Sequence, residues 1–318
     1  MPTTGPTLVT GATGFVGGHV LDRLADWAPL VAWCRPDGAA PDPERHLDWR
    51  PVDLTDGPAV ADAIEDAQPA RIFHLAGAPN VGTSWHNAVP HFRVNALGTH
   101  HLLEAVRRRR RPCRVLIVSS AQVYQTSDEP LDEESPVLPP NPYGLSKLAQ
   151  EEFALRAARE DDLDVVFARP FNHIGPRQSP AFAVASFARQ IARIEAGLAP
   201  PELRVGNLET RRDITDVRDV AAAYELIMAS APAARPYNVC SGSAWRMRDL
   251  LDELVHLSHV NVRIDVDQSR LRPNDVLVVQ GDATRIRTEL GWAPKIPIEQ
   301  TLRDTLDWWR ARTAAGTP

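Results

Sequence analysis

The chain opens on a strand that runs into a glycine turn and then a helix, and this order restricts the possible folds more than any other feature. Thr7-Leu-Val-Thr10 is a short apolar run. Gly11-Ala-Thr13-Gly14-Phe15-Val16-Gly17 follows, and Val20, Leu21 and Leu24 then recur at helical spacing. Gly11 permits a tight turn, Gly14 lets backbone amides approach a pyrophosphate, and Gly17 lets the helix pack closely on the strand. The spacing is G-x-x-G-x-x-G where G-x-G-x-x-G is commoner, so its position between strand and helix gives it meaning. Thr13, Phe15 and Val16 join the three glycines as candidate dinucleotide contacts.

The same alternation continues. Apolar runs predict strands at 7-10, 29-34, 71-75, 114-119, 164-169 and 236-239, with helices near 15-26, 57-66, 92-110, 143-160 and 181-196. Strands alternating with helices imply an α/β fold, a parallel sheet covered on both faces. At the end of the second strand an arginine accommodates the 2′-phosphate of NADP, whereas a carboxylate favours NAD. Leu30-Val-Ala-Trp-Cys34 ends at Arg35, with Asp37 two positions on, which favours NADP and leaves NAD open.

Composition removes other classes of function. With 35 Lys and Arg against 41 Asp and Glu there is no general polyanion surface, so no nucleic-acid partner is expected. Arg107 to Arg111 follows an apolar helical pattern and precedes Pro112, which fits a solvated helix C-terminus. Cys34, Cys113 and Cys240 are far apart with no CxxC pair, so neither a disulfide framework nor a metal site is indicated. No apolar run approaches about 18 residues and no basic leader precedes an apolar core, so a cytoplasmic location off the membrane is expected. The acidic stretch Asp128 to Glu134 sits in a proline-rich region and is expected to be a solvent-facing loop near the site.

Tyr143 and Lys147, in Asn141-Pro-Tyr-Gly-Leu-Ser-Lys147, lie one helical turn apart on one face. A phenol titrates near pH ~10, and an adjacent ammonium, helped by a cationic cofactor ring, brings it towards the working range. A glycine turn followed some 130 residues later by Tyr-x-x-x-Lys resembles the extended short-chain dehydrogenase/reductase superfamily, the NAD-dependent epimerase/dehydratase group, over nearly the whole chain. That resemblance implies a Rossmann-type doubly wound parallel sheet with a smaller C-terminal α/β substrate-binding domain. It places the cofactor domain at 1-171 plus 216-241 and the nucleotide-sugar domain at 172-215 plus 242-318. It also implies a homodimer built on helices 92-110 and 143-160.

By the same resemblance, Asp53 and Leu54 meet adenine, and Leu75, Ala76 and Gly77 pass beside the pyrophosphate and nicotinamide ribose. Arg169 is a further cofactor contact, and Asn95 is either a buried structural amide or a catalytic one. Ser120 holds the substrate oxygen and completes a set with Tyr143 and Lys147, the lysine also binding the cofactor ribose. Sugar-nucleotide 4,6-dehydratases carry a glutamate two residues after that serine, and here the position is Gln122. An amide cannot remove a proton, so elimination of water is disfavoured. Arg169-Pro-Phe-Asn-His-Ile-Gly-Pro-Arg-Gln178, Val205 to Asp219, Tyr237 to Gly242 and Arg272-Pro-Asn-Asp275 resemble the GDP-mannose branch, most of all its GDP-4-dehydro-6-deoxy-D-mannose reductases. On that likeness Asn172 and Arg212 hold the diphosphate, Arg272 is a bidentate cation, Asp275 or Asn207 meets guanosine, and Gln122 and Arg177 also face the sugar nucleotide. Arg177 departs from the usual glycine.

The expected activity is therefore NADPH-dependent reduction of a GDP-4-keto-6-deoxy sugar at C4, to GDP-D-rhamnose or its C4 epimer. A 4-epimerase with bound NAD, a GDP-mannose 4,6-dehydratase and a non-catalytic dinucleotide-binding scaffold are the alternatives.

Overall fold

The computed structural model describes residues 5–27, 29–37, 47–268 and 276–316. Its strands are β1 (Thr7–Thr10), β2 (Leu30–Cys34), β3 (Asp48–Pro51), β4 (Arg71–His74), β5 (Arg114–Val118), β6 (Asp164–Pro170), β7 (Asn172–Ile174), β8 (Glu202–Val205), β9 (Arg211–Asp216), β10 (Pro236–Val239), β11 (Ala244–Arg246), β12 (Arg263–Val266) and β13 (Val278–Val279). Its helices are α1 (Phe15–Arg23), α2 (Gly57–Ala67), α3 (Val81–Ser84), α4 (Ala88–His91), α5 (Gly98–Arg109), α6 (Pro142–Glu160), α7 (Ala183–Glu195), α8 (Val217–Ser230), α9 (Met247–His256), α10 (Thr284–Leu290) and α11 (Ile298–Ala314).

Seven strands form one parallel sheet in the order β3-β2-β1-β4-β5-β6-β10. The order reverses between β1 and β4, which opens a crevice beyond their carboxyl ends. Each central strand is buried on both faces, so its residues alternate between two cores. Val115 and Ile117 pack with Val60, Ile64, Leu102 and Val106 of α2 and α5. Leu116 between them packs with Val20, Leu24, Val220 and Ile227 of α1 and α8. Burial of a side chain of this size stabilises by about 1.5–3 kcal/mol, which is why these strands read as unbroken apolar runs.

After β6 the chain crosses at Phe171 into β7, which pairs with β9 in a second, small sheet with β11 and β13. A third core, drawn from residues 174–214 and 247–309, joins α7, α9 and α11 behind it. Ala283, Ile286 and Trp292 pack instead into the α1/α8 core, so α10 rests on the large sheet.

Two sequence expectations change. The helix expected over 92-110 begins as a π-helical turn at Phe92–Leu97, which follows directly on α4 and leads into α5. The wider turn carries Asn95, whose Oδ1 accepts from Ala78 N (2.8 Å) and whose Nδ2 donates to Ser146 Oγ (2.9 Å). The acidic loop is not wholly solvent-facing. Glu133 is buried, accepts from Asn238 N (2.7 Å) and faces Arg285, because the loop has to be fastened to β10.

Candidate active site

At the carboxyl end of β1 the chain turns through Gly11, whose φ is +66°. A Cβ there would lie 2.7 Å from Ala76 N, and one at Gly17 would lie 2.2 Å from Gly11 O. Both positions therefore demand glycine. Gly14 N donates to Gly11 O (2.9 Å) and sets the start of α1. That helix has no side-chain cap and no acid in its first turn. Its leading amides lack a side-chain acceptor, which fits a pyrophosphate. Thr13 and Gly14 are exposed on the turn, Val16 packs against the core, and Phe15 stacks on His173 at 5.9 Å.

Arg35 is exposed just past β2, where it could meet a 2′-phosphate. Asp53 Oδ1 accepts from Thr55 N (2.8 Å) and Oγ1 (2.9 Å), while Leu54 is buried and its carbonyl accepts from His101. Leu75, Ala76 and Gly77 lead away from β4 past the crevice. A Cβ at Gly77 would sit 2.9 Å from Asn95 Oδ1 and 3.7 Å from Lys147 Nζ. A missed feature lies at the end of β5: Ser119 Oγ is buried with no hydrogen-bond partner. The double serine was the available signal for it.

The three candidate catalytic residues come from two elements. Asn141 caps α6 by accepting from Gly144 N (2.8 Å), and Pro142 occupies its first turn. Tyr143 N donates to Ser84 Oγ (3.2 Å), and His91 lies edge-on to the phenol ring at 6.4 Å. Burial pushes the phenol up to about 12, and a hydrogen bond with Ser120 pulls the other way. Ser120 starts the 3-10 turn Ala121–Val123, its Oγ accepting from Gln122 N (3.2 Å). One turn past Tyr143, Lys147 Nζ donates to Val118 O (2.7 Å) and Gln150 Oε1 (2.6 Å). Burial drives it down to about 7, with Glu151 working against the fall.

Burial and Ser120 act on the Tyr143 phenol, and the Lys147 ammonium is held by Val118 O and Gln150 Oε1. A phenol that holds its proton suits a donor better than a base.

Arg169, expected as a cofactor contact, directs its side chain to partners within the protein. Its guanidinium is buried on Glu151 (2.7 Å) and Tyr124 Oη (3.1 Å), since Glu151, one helical turn after Lys147 on α6 and buried, needs a cation once it is out of water. Arg177, expected to face the sugar nucleotide, pairs with Asp22 of α1 (2.9 Å). Its φ of +75° lies in the left-handed region that favours glycine. Gln122 Oε1 accepts from Asn141 Nδ2 (2.7 Å), so its amide steadies the start of the Tyr143 helix.

The other substrate candidates gather on the small sheet. Asn172 is exposed on β7, whose neighbour β9 carries the half-buried Arg212; Asn207 precedes β9 and accepts from Glu209 N (2.9 Å). Arg218 is committed to Asp216 and Asp304 (2.7 Å each). Arg272 and Asp275 lie outside the described residues. Among the described residues, no helix is long and apolar enough to cross a membrane and no cluster of metal-ligating side chains occurs.

A phenol that keeps its proton, set beside an uncapped dinucleotide turn, can serve hydride transfer at an adjacent carbon, which is the chemistry of short-chain oxidoreductases. The sequence profile of the GDP-mannose 4,6 dehydratase family matches residues 8–305. The chain belongs to that family. It is 37% identical over 307 residues to the GDP-6-deoxy-D-mannose reductase of Pseudomonas aeruginosa, covering 96% of this chain and 97% of the relative. A solved structure of RMD from Pseudomonas aeruginosa complexed with NADPH superposes with a TM-score of 0.85 at 35% identity, covering 97% of this chain and 100% of that one. A putative epimerase from Burkholderia cenocepacia superposes at 0.86 with 34% identity, covering 98% and 100%.

Proposed function

We propose that this protein is an NADPH-dependent reductase that converts the C4 ketone of GDP-4-dehydro-6-deoxy-D-mannose into the alcohol of GDP-D-rhamnose. The observation that carries the reading is the pairing of Tyr143 with Ser120 beside a Gln122 amide that is tied to Asn141. That arrangement offers a proton donor and no carboxylate base at the position dehydratases use. The reductase of Pseudomonas aeruginosa and the NADPH named with its structural counterpart support the same choice.

When bound, the reduced nicotinamide supplies the hydride. Tyr143 delivers its phenolic proton to the C4 oxygen as negative charge develops there. Ser120 hydrogen-bonds that oxygen and keeps the phenol oriented. Lys147 offers its ammonium to the cofactor ribose. The first-turn amides of α1 hold the pyrophosphate, and Arg35 takes the 2′-phosphate. Asn172 and Arg212 hold the sugar-nucleotide diphosphate from the small sheet, with Asn207, Arg272 and Asp275 at the nucleoside end.

In this reading the cofactor domain is 1-171 plus 216-241, with α10 packed onto it, and the remainder forms the nucleotide-sugar domain. The protein is a homodimer through the outer faces of the π-turn with α5 and of α6, where Leu97, Leu145 and Phe153 are 41%, 49% and 39% exposed. Its three buried free thiols suit the reducing cytoplasm.

The test is product analysis by NMR. Incubation with the 4-keto sugar nucleotide and NADPH should give one GDP-deoxyhexose with the C4 configuration of rhamnose. The C4 epimer would overturn the stereochemistry, tightly held NAD with interconversion would establish an epimerase, and water loss from GDP-mannose alone would establish a dehydratase.

A further inference from the structure

Behind Lys147 lies a chain of buried polar side chains that the proposed reaction does not itself use. Its protons can be placed by counting donors. An ammonium only donates, so the Gln150 atom that faces Lys147 Nζ at 2.6 Å is the amide oxygen. The Gln150 amide nitrogen therefore donates to Thr99 Oγ1 (2.9 Å). Thr99 spends its own hydroxyl proton on Asn95 O (2.7 Å), so its oxygen can only accept from His74 Nε2 (2.9 Å). That fixes His74 as the Nε2–H tautomer, and its bare Nδ1 accepts from Thr10 Oγ1 (2.9 Å). Thr10 Oγ1 in turn accepts from Ala76 N (3.2 Å). Each of these side chains, from Thr10 to Gln150, is fully buried.

One directed chain thus runs from the strand before the glycine turn to the lysine. We propose that Gln150 is a positioning residue for Lys147, its amide locked through Thr99 and His74 so that its oxygen holds the ammonium in the charged, ribose-facing form. The proposal rests on Lys147 being the lysine of the reaction. Burial and the Lys147 charge push His74 down to about 3, so the ring stays neutral and the direction of the chain does not reverse at working pH.

The charged and titratable groups around Lys147 are few. Glu151 and Tyr143 share its helix, His74 faces it from β4, and Arg169 on β6 neutralises Glu151. Val118 on β5 and Asn95 on the π-turn offer only neutral polar groups. Gln150 is therefore a neutral acceptor whose replacement should be felt directly by the ammonium.

This chain makes the test unusually direct, because its sequence contains two lysines, Lys147 and Lys295. Protein labelled with 13C-lysine should show two side-chain signals, and Lys295→Arg identifies the signal of Lys147. In Gln150→Met the titration of Lys147 should move to lower pH, and in Gln150→Glu to higher pH, each by roughly one pH unit. Thr99→Val, which unlocks the amide, should move it down by less and serves if Gln150→Met does not fold. NADPH binding, followed by fluorescence, should weaken several-fold in Gln150→Met and recover in Gln150→Glu. An unchanged titration, or a shift in the same direction in Met and Glu variants, would overturn the positioning role. Tyr143→Phe separates the two claims: if it retains turnover, the reading of the site fails, whatever Gln150 does to Lys147.

Discussion

Lys147→Met should change the stability of the cofactor-free protein in a way that depends on pH. Lys147 is 6% exposed and its pKa falls from the ordinary 10.5 to about 7, chiefly through burial. Between those values the folded chain has released a proton that the unfolded chain still binds. Stability therefore rises with pH across this window, by about 1.4 kcal/mol per pH unit. Below pH 7 the buried charge costs the fold about 5 kcal/mol, and above pH 10.5 nothing. Methionine removes that cost but leaves Val118 O and Gln150 Oε1 without their donor, a loss of about 3 kcal/mol for the two. The variant should thus be more stable than the parent by about 2 kcal/mol at pH 6 and less stable by about 3 kcal/mol above pH 10.5, with a crossing near pH ~8.5. Urea unfolding at five pH values from 6 to 10.5 measures the difference. A difference that stays constant with pH would refute the claim that burial disfavours this ammonium.

Four further outcomes follow from the same geometry. Gly144→Ala places a Cβ 2.1 Å from Gln122 O, a backbone atom, so α6 must move; a loss of at least about 2 kcal/mol in urea and at least tenfold in kcat is expected. Arg35→Ser should lower the preference for NADPH over NADH by about tenfold or more, read as the ratio of the two kcat/KM values; an unchanged ratio would remove Arg35 from the cofactor site. Arg177→Gly relieves a left-handed backbone by about 1 kcal/mol and loses an exposed ion pair worth about 0–1 kcal/mol. Stability should stay within about 1 kcal/mol of the parent and substrate KM within about twofold, whereas a tenfold rise in KM would return Arg177 to the substrate. His74 is neutral in the fold down to about pH 3 but protonates from 6.5 when unfolded, so the protein should lose stability as pH falls through that window, and His74→Gln should flatten the slope in acid unfolding.

The large sheet was legible because strands buried on two faces have little freedom in composition. Val115, Leu116 and Ile117 must each meet a core, whichever way they point. Asp48–Pro51 has no such signature: its two ends are exposed, and it becomes a strand by pairing with β2. The π-turn was not legible either, since its extra residue answers to Ala78 and Ser146, partners of Asn95 far away in the chain. The same limit applies to the arginines. Arg169 and Arg177 stand in a motif that suggests ligands, but their partners, Glu151 and Asp22, come from other elements. Gln150 was the accessible omission. It lies three residues after Lys147 on a helix, where side chains meet, and that spacing alone was enough to mark it.

Absorbance at 340 nm tests the central claim most directly. With GDP-4-dehydro-6-deoxy-D-mannose and NADPH, the protein should oxidise one NADPH for each sugar nucleotide reduced, and Tyr143→Phe should abolish most of that turnover while still binding NADPH. No loss of absorbance with either reduced cofactor, or full activity in the phenylalanine variant, would contradict the account.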